Sequence, residues 1–360
     1  MISDRMPAIK KSSPDTTHIN RHLHALDGLR GVAALCVLFL HSAELLKFTY
    51  VPPSAGLAVD FFFLLSGYVL AFAYDQKLEA KDYSFVWFAK LRLIRLYPML
   101  FLGTSLGVAV AILGHTPASP LLIIGSFLLF PVGFISAIQN PQAYPYNNPV
   151  WSLFFELAVN FIYGSRLGRC AMPILFSIVA ASAVGLAVTS GVLKANSFQL
   201  IGFGSPRLFA AGVLRVCCSF WLGVALFRLG LSGKMRPIPL WLASVALLAA
   251  LLTPISGLVY SFVAVLMIFP ILVIGAANAH LTPFQVKICK LSGELSYPLY
   301  LLHQPVFRIV KNLPHLIHFA VAPAILFMGG SLASIAIAFA ALHLVDIPVR
   351  GYLMRRFRRA

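Results

Sequence analysis

The sequence predicts an all-α, polytopic membrane protein of about ten transmembrane helices, with one re-entrant or interfacial segment at about 120–137 and both termini cytoplasmic. Three observations lead there. Hydrophobic residues fill 59% of the 360 positions and charged residues only 11%, against roughly 25% charged in a soluble domain. The apolar residues fall in many separate runs, most of them near the ~20 residues that cross a bilayer. The basic residues, which give a net charge of +17, gather between those runs and at the C-terminal end, as the positive-inside rule expects. That placement makes them topology signals with membrane lipids, anionic headgroups above all, as partners. It speaks against a nucleic-acid role.

The elements follow in order. Residues 1–23 read as a polar cytosolic tail, with no apolar core and small-residue cleavage site of a signal peptide. Residues 27–46 form a first span and 56–74 a second, joined through Pro52 and Pro53. The stretch 75–95 carries Lys77, Lys81, Lys90, Arg92 and Arg95 and belongs on the cytoplasmic side. A third span covers 97–114, where Pro98 suits a first helical turn. Residues 120–137 are about long enough to cross, but Pro131 and two glycines interrupt them. A full crossing there would move Arg166, Arg169, Arg228, Lys234 and Arg236 to the outer side, so a re-entrant or interfacial segment fits better. Further spans are expected at 149–165, 171–190, 208–228, 238–253, 257–277, 293–311 and 320–346. Residues 24–352 then make one membrane domain, and 353–360 a basic cytosolic tail. The five cysteines include no CxxC pair, so neither a disulfide framework nor a metal site is expected.

Ionisable side chains inside hydrocarbon are costly and mark functional candidates. Arg30 and His41 come first. Eleven helical steps turn about 20° beyond three full turns and rise about 16 Å, so the two share one face of the first span. Glu44 lies three residues past His41, and Asp27 three before Arg30. Asp60 opens the second span, with Ser66 and Gly67 further along it; it can cap a helix or pair with a histidine. Arg92 and Arg95 share a face just before Tyr97 and suit phosphate oxygens. Trp151 and Glu156 put an indole and a carboxylate at the fourth span, with Asn160 a turn further. His303 follows late in the chain, and Asp346 with Arg350 reads as an interfacial ion pair. Arg215 has no partner visible in sequence.

Taken together, these blocks resemble the acyltransferase-3 family of integral membrane acyltransferases. The resemblance rests on LDGLRGVAALCVLFLH with its arginine-to-histidine spacing, then VDFFFLLSGYVL, RLIRLYP, NNPVWSLFFELAVNFIY, LSYPLYLLHQPV and VDIPVRGYLMRRF. One departure is Phe154-Phe155 before Glu156, where many members carry small and acidic residues. The resemblance implies transfer of an acyl group, acetyl foremost, from cytosolic acyl-CoA to a hydroxyl of a cell-surface or exported glycan. It implies a bacterial cytoplasmic (inner) membrane location, a glycan or lipid-linked saccharide acceptor, and polysaccharide-assembly machinery as a partner. Under it, His41, Glu44, Asp60 and Glu156 are catalytic candidates, with Asp60 or Glu44 orienting the His41 ring. Arg30, Arg92 and Arg95 would hold the acyl-CoA phosphates. Trp151, Ser66, Tyr97 and His303 would face the acceptor, Trp151 by stacking on a sugar. No metal is expected. The rival reading, a proton-coupled transporter or flippase, predicts internal repeats, and none is visible.

Overall fold

Every regular element in the described residues is helical, in keeping with the long apolar runs, because a helix satisfies its backbone groups within one segment without water. The computed structural model describes residues 23–359 apart from 81–83, 115–118, 135–142, 195–196, 199–200, 203–204 and 317. The expected N-terminal tail and the end of the 120–137 segment therefore lie outside the described residues. The helices are α1 (His24–Leu45), α2 (Ala58–Glu79), α3 (Phe85–Leu113), α4 (Pro120–Phe127), α5 (Val150–Gly164), α6 (Met172–Val192) and α7 (Pro206–Arg228). They continue with α8 (Leu240–Leu252), α9 (Leu258–Val263), α10 (Phe269–Ala277), α11 (Pro283–Leu316), α12 (Pro323–Ala341) and α13 (Ile347–Arg359). Single π-turns join α9 to α10 and α12 to α13 into continuous rods. Serine side chains cap three N-termini, Ser84 for α3, Ser119 for α4 and Ser205 for α7, and proline follows directly in the last two.

Seven helical stretches among the described residues are long and apolar enough to cross a membrane, which makes this a multi-pass membrane protein. The other three expected spans differ for physical reasons. α5 and α8 have 15 and 13 residues, about 22 and 20 Å at 1.5 Å per residue, short of a ~30 Å hydrocarbon core. α11 has 34 residues but carries Lys287, Lys290, Glu294, Arg308 and Lys311 along its length. Pro98 does not open a helix: α3 begins at Phe85, so Pro98 sits in its interior. Arg92 and Arg95 thus belong to the helix itself.

Paired contacts give the helix directions. Gly28 faces Cys289 and Gly31 faces Ser292, while His41 meets His303, so α1 and α11 are parallel. Tyr297 bonds Leu96 O and Gly103 abuts Leu301, so α3 runs with them. Asp60 pairs with Arg215 and Asp75 with Arg228, making α2 and α7 parallel. Ser66–Glu156 and Asp75–Tyr163 align α5 with α2. Arg92–Glu156 and Phe85–Phe161 set α5 against α3. Arg95–Asp346 and Trp87–Phe357 set α12–α13 against α3 as well.

Because α5 opposes α3, the chain between them returns to the side it left, without net crossing. α4, at eight residues, spans only about 12 Å. Both facts are compatible with a re-entrant or interfacial course for the described part of this segment, residues 120–134.

Two close helix contacts organise the core. A Cβ on Gly67 would fall 2.0 Å from Phe220 O, and one on Gly223 would fall 2.1 Å from Leu64 O. Only glycine lets α2 and α7 approach this far, the usual device where lipid supplies no hydrophobic drive. At α1–α11, a Cβ on Gly31 would fall 1.7 Å from Ser292 Oγ. α6 lies outside this core, with 17% of its span buried.

Candidate active site

α11 is the wall on which the site is built, and its prolines explain how. Pro305 has no N–H, so the carbonyl four residues earlier, at Leu301, lacks its helical donor. Asn147 Nδ2 fills that gap at 2.9 Å. Gln304 accepts from Asn148 N at 2.8 Å, and Arg308 donates to the carbonyls of Pro145 and Tyr146. These bonds clamp the segment before α5 onto α11 and so fix where Ser152 and Glu156 point.

Between α1, α2, α3, α5 and α11 lies a cleft lined by Arg30, Arg92, Arg95, Ser66, Glu156, Ser152 and Tyr300 among others. Glu156 accepts from Ser66 Oγ at 3.2 Å and lies 3.8 Å from Arg92 Nη2. Arg92 Nε is buried without a hydrogen-bond partner. Arg95 sits over the Tyr297 ring, 5.8 Å from its centroid. A second cleft shares Arg30 and Arg95 as its wall and adds Asp27, Lys290, Glu294 and Arg350. Arg30 lies 3.2 Å from Asp27, and buried Asp346 lies 3.7 Å from Arg95 and 2.9 Å from Arg350. Arg30 and Arg95 each meet a carboxylate through one nitrogen, which leaves the rest of each fork for oxygens of a ligand.

Phe62 and Tyr300 also line the cleft. Their rings meet edge to face at 5.7 Å, and Tyr300 OH lies 2.8 Å from Ser152 Oγ. One turn beyond Tyr300 is His303, the ring centroids 6.2 Å apart. His303 Nε2 lies 2.7 Å from His41 Nδ1. The two imidazole planes differ by 1° with centroids 5.0 Å apart, the spacing of coplanar rings joined edge to edge through nitrogen. Guanidinium groups thus line the cleft, and a pair of histidines packs next to its Tyr300.

The structure gathers Arg30, Arg92, Arg95, Ser66 and Glu156 in one cleft and sets the His41–His303 pair next to Tyr300 of its lining. Four expectations need correction. Asp60 does not orient His41: it is fully buried on the α7 side, where Arg215 Nε and Nη2 donate to it at 2.6 to 3.0 Å. Glu44 is exposed at the end of α1, and the His41 ring nitrogen is bonded to His303 instead. Trp151 offers no face to a sugar, being 5% exposed with Arg215 over its ring and Gly202 against its edge. Tyr97 turns away from the cleft and donates to Phe127 O at 3.3 Å.

Sequence reasoning missed Ser152, Ser296, Tyr297 and Tyr300 in the cleft and Lys290 in its neighbour. A signal existed, since Ser296, Tyr300 and His303 follow the i, i+4, i+7 spacing of one helix face. Asp346 was read as an interfacial pair, whereas it is fully buried between Arg95 and Arg350.

A family model described as an acyltransferase domain matches residues 23–343. Protein 2 of the picA locus of Rhizobium radiobacter is 36% identical over 181 residues, 46% of this chain and 93% of that protein. The acyltransferase MdmB of Streptomyces mycarofaciens is 28% identical over 316 residues, 79% of each chain. No solved structure matches.

Proposed function

Because the chain belongs to this acyltransferase family, we propose that it moves a short acyl group, acetyl foremost, from acyl-CoA to a hydroxyl of a cell-surface or exported glycan. The observation that supports the reading is the cleft lined by Arg30, Arg92, Arg95 and Tyr300, with the histidine pair one helical turn beyond Tyr300 on α11. Acyl-CoA has phosphates at one end, a long neutral arm, and a thioester at the other.

In this reading the guanidinium forks hold the phosphates, and the arm lies along the apolar wall of α2. His41 takes the proton of the acceptor hydroxyl as its oxygen attacks the thioester carbon. The new C–O bond forms, the C–S bond breaks, and the leaving thiolate recovers that proton from the imidazolium. Glu156 and Ser66 keep Arg92 aligned at the side of the cleft.

The location follows the same reading: a bacterial cytoplasmic membrane, both termini in the cytosol, and the phosphate-binding end facing the cytosolic donor pool. Polysaccharide-assembly machinery is the partner class that supplies such an acceptor. MdmB, named as an acyltransferase, is consistent with the reaction class and not with any one acceptor.

The test is radiolabelled acetyl-CoA supplied to inside-out vesicles. Label should reach glycan with the wild-type protein and stay in the donor with His41→Ala. Equal labelling by a correctly inserted His41→Ala protein sinks the assignment.

A further inference from the structure

His303 has a second contact that decides what His41 can do. A carbonyl only accepts, so the 3.0 Å contact between His303 Nδ1 and Leu299 O places a hydrogen on Nδ1. In a neutral imidazole the other nitrogen is then an acceptor. The 2.7 Å contact of His303 Nε2 with His41 Nδ1 therefore needs its hydrogen on His41 Nδ1. The reverse polarity would require a doubly protonated, charged His303 in a position 1% exposed, where neutral groups, backbone carbonyl and imidazole, face the ring nitrogens.

We propose that His303 is a positioning residue that holds His41 in the tautomer protonated at Nδ1, leaving the lone pair on Nε2. The inference rests on the acyl-transfer reading for its purpose, though not for its geometry. Bonding partners set which nitrogen of a histidine is basic, and here the order runs from a backbone carbonyl through two rings.

The consequence is directional. His41 Nδ1 already carries its hydrogen and the lone pair of His303 Nε2 is engaged by it, so a proton taken from an acceptor hydroxyl enters at His41 Nε2. Once His41 is charged, its Nδ1–H donates more strongly into neutral His303 Nε2. The carboxylates expected to do this work are elsewhere: Asp60 is held by Arg215 and Glu44 is exposed. Helix α11 supplies the anchor from within, because Leu299 lies one turn before His303.

The experiment uses the full-length protein in lipid nanodiscs with its ten histidines labelled with nitrogen-15, assigned by His41→Gln and His303→Gln. The expected spectrum of the wild type shows His41 with a protonated Nδ1 and an imine-type Nε2. In His303→Leu that single form gives way to a mixture. In the vesicle assay His303→Leu should lower kcat by about 100-fold, within the usual span of a general base, with KM for acetyl-CoA unchanged. His303→Gln, whose amide oxygen can accept from His41 Nδ1–H, should recover at least about tenfold of that loss. A wild-type His41 that carries its hydrogen on Nε2 overturns the proposal whatever the activity, and so does an unchanged kcat in His303→Leu. The wild-type spectrum decides even where His303→Leu fails to accumulate. The expected tautomer in a wild-type protein that transfers no acyl group overturns the acyl-transfer reading and leaves the positioning geometry standing.

Discussion

Arg92 meets a carboxylate on one side and keeps an unpartnered buried nitrogen on the other. A planar fork presents fixed donors to both sides at once, whereas an ammonium is a single compact point of charge. Arg92→Lys should therefore raise KM for acetyl-CoA by about tenfold, roughly the loss of one charge-assisted bond, with kcat little changed in the vesicle assay. An unchanged KM would show that phosphates do not bind there. His41→Ala should act the other way, lowering kcat by about 100- to 10,000-fold. The arginines were legible because i, i+3 spacing puts Arg92 and Arg95 on one face. His41 was legible as a residue and not as a pair. Its partner His303 lies 262 positions away, and no local rule joins positions that far apart.

At the scale of elements, α2 and α7 make the most demanding contact. Two glycines bring their backbones together, and ion pairs fasten both ends, Asp60–Arg215 and Asp75–Arg228. Arg215 also donates to the carbonyls of Ile201 and Gly56 at 2.7 and 2.8 Å. Removing one member leaves a buried charge alone, so Asp60→Asn should cost about 3–5 kcal/mol, read as a lowered unfolding midpoint in bicelles. Asp60→Asn combined with Arg215→Gln should cost less than the two single changes added together. Strict additivity would mean that the pair is not coupled. Gly67→Leu should prevent the helices from docking, with loss of folded protein in the same measurement. The sequence pointed to capping or histidine pairing for Asp60 because both are local options. Its actual partner required two helices to come together. The ten expected spans were found by apolar length, and α5, α8 and α11 depart from them where helix length or charge departs from a simple run.

For the whole molecule, the helix directions form one consistent set. α1, α3 and α11 run one way, and α2, α5, α7 and α12–α13 run the other. Lys90 and the end of α13 then share a side, as the contact of Lys90 with the Phe357 ring requires. In a background free of the native cysteines, a single cysteine at Lys90 or Arg355 should react with an impermeant thiol reagent from one face. A cysteine at Thr49 should react only from the other. Labelling of positions 49 and 355 from the same face would refute the arrangement. The overall order was legible because charge and apolar length are recorded locally along the chain, whereas the cleft depends on which faces meet.

The Asp60–Arg215 bond also has a history. Its members are 155 residues apart, so at about 5–20 residues per second roughly 8–30 s separate their synthesis. For that interval α2 waits in the bilayer with a carboxylate that has not met its cation. Nascent chains halted before Pro206 should therefore be recognised as unfinished and degraded quickly, and Asp60→Leu in the same halted chain should lengthen its lifetime in a pulse–chase experiment. The pair that fastens the finished protein is, during its making, the mark by which an incomplete one is known.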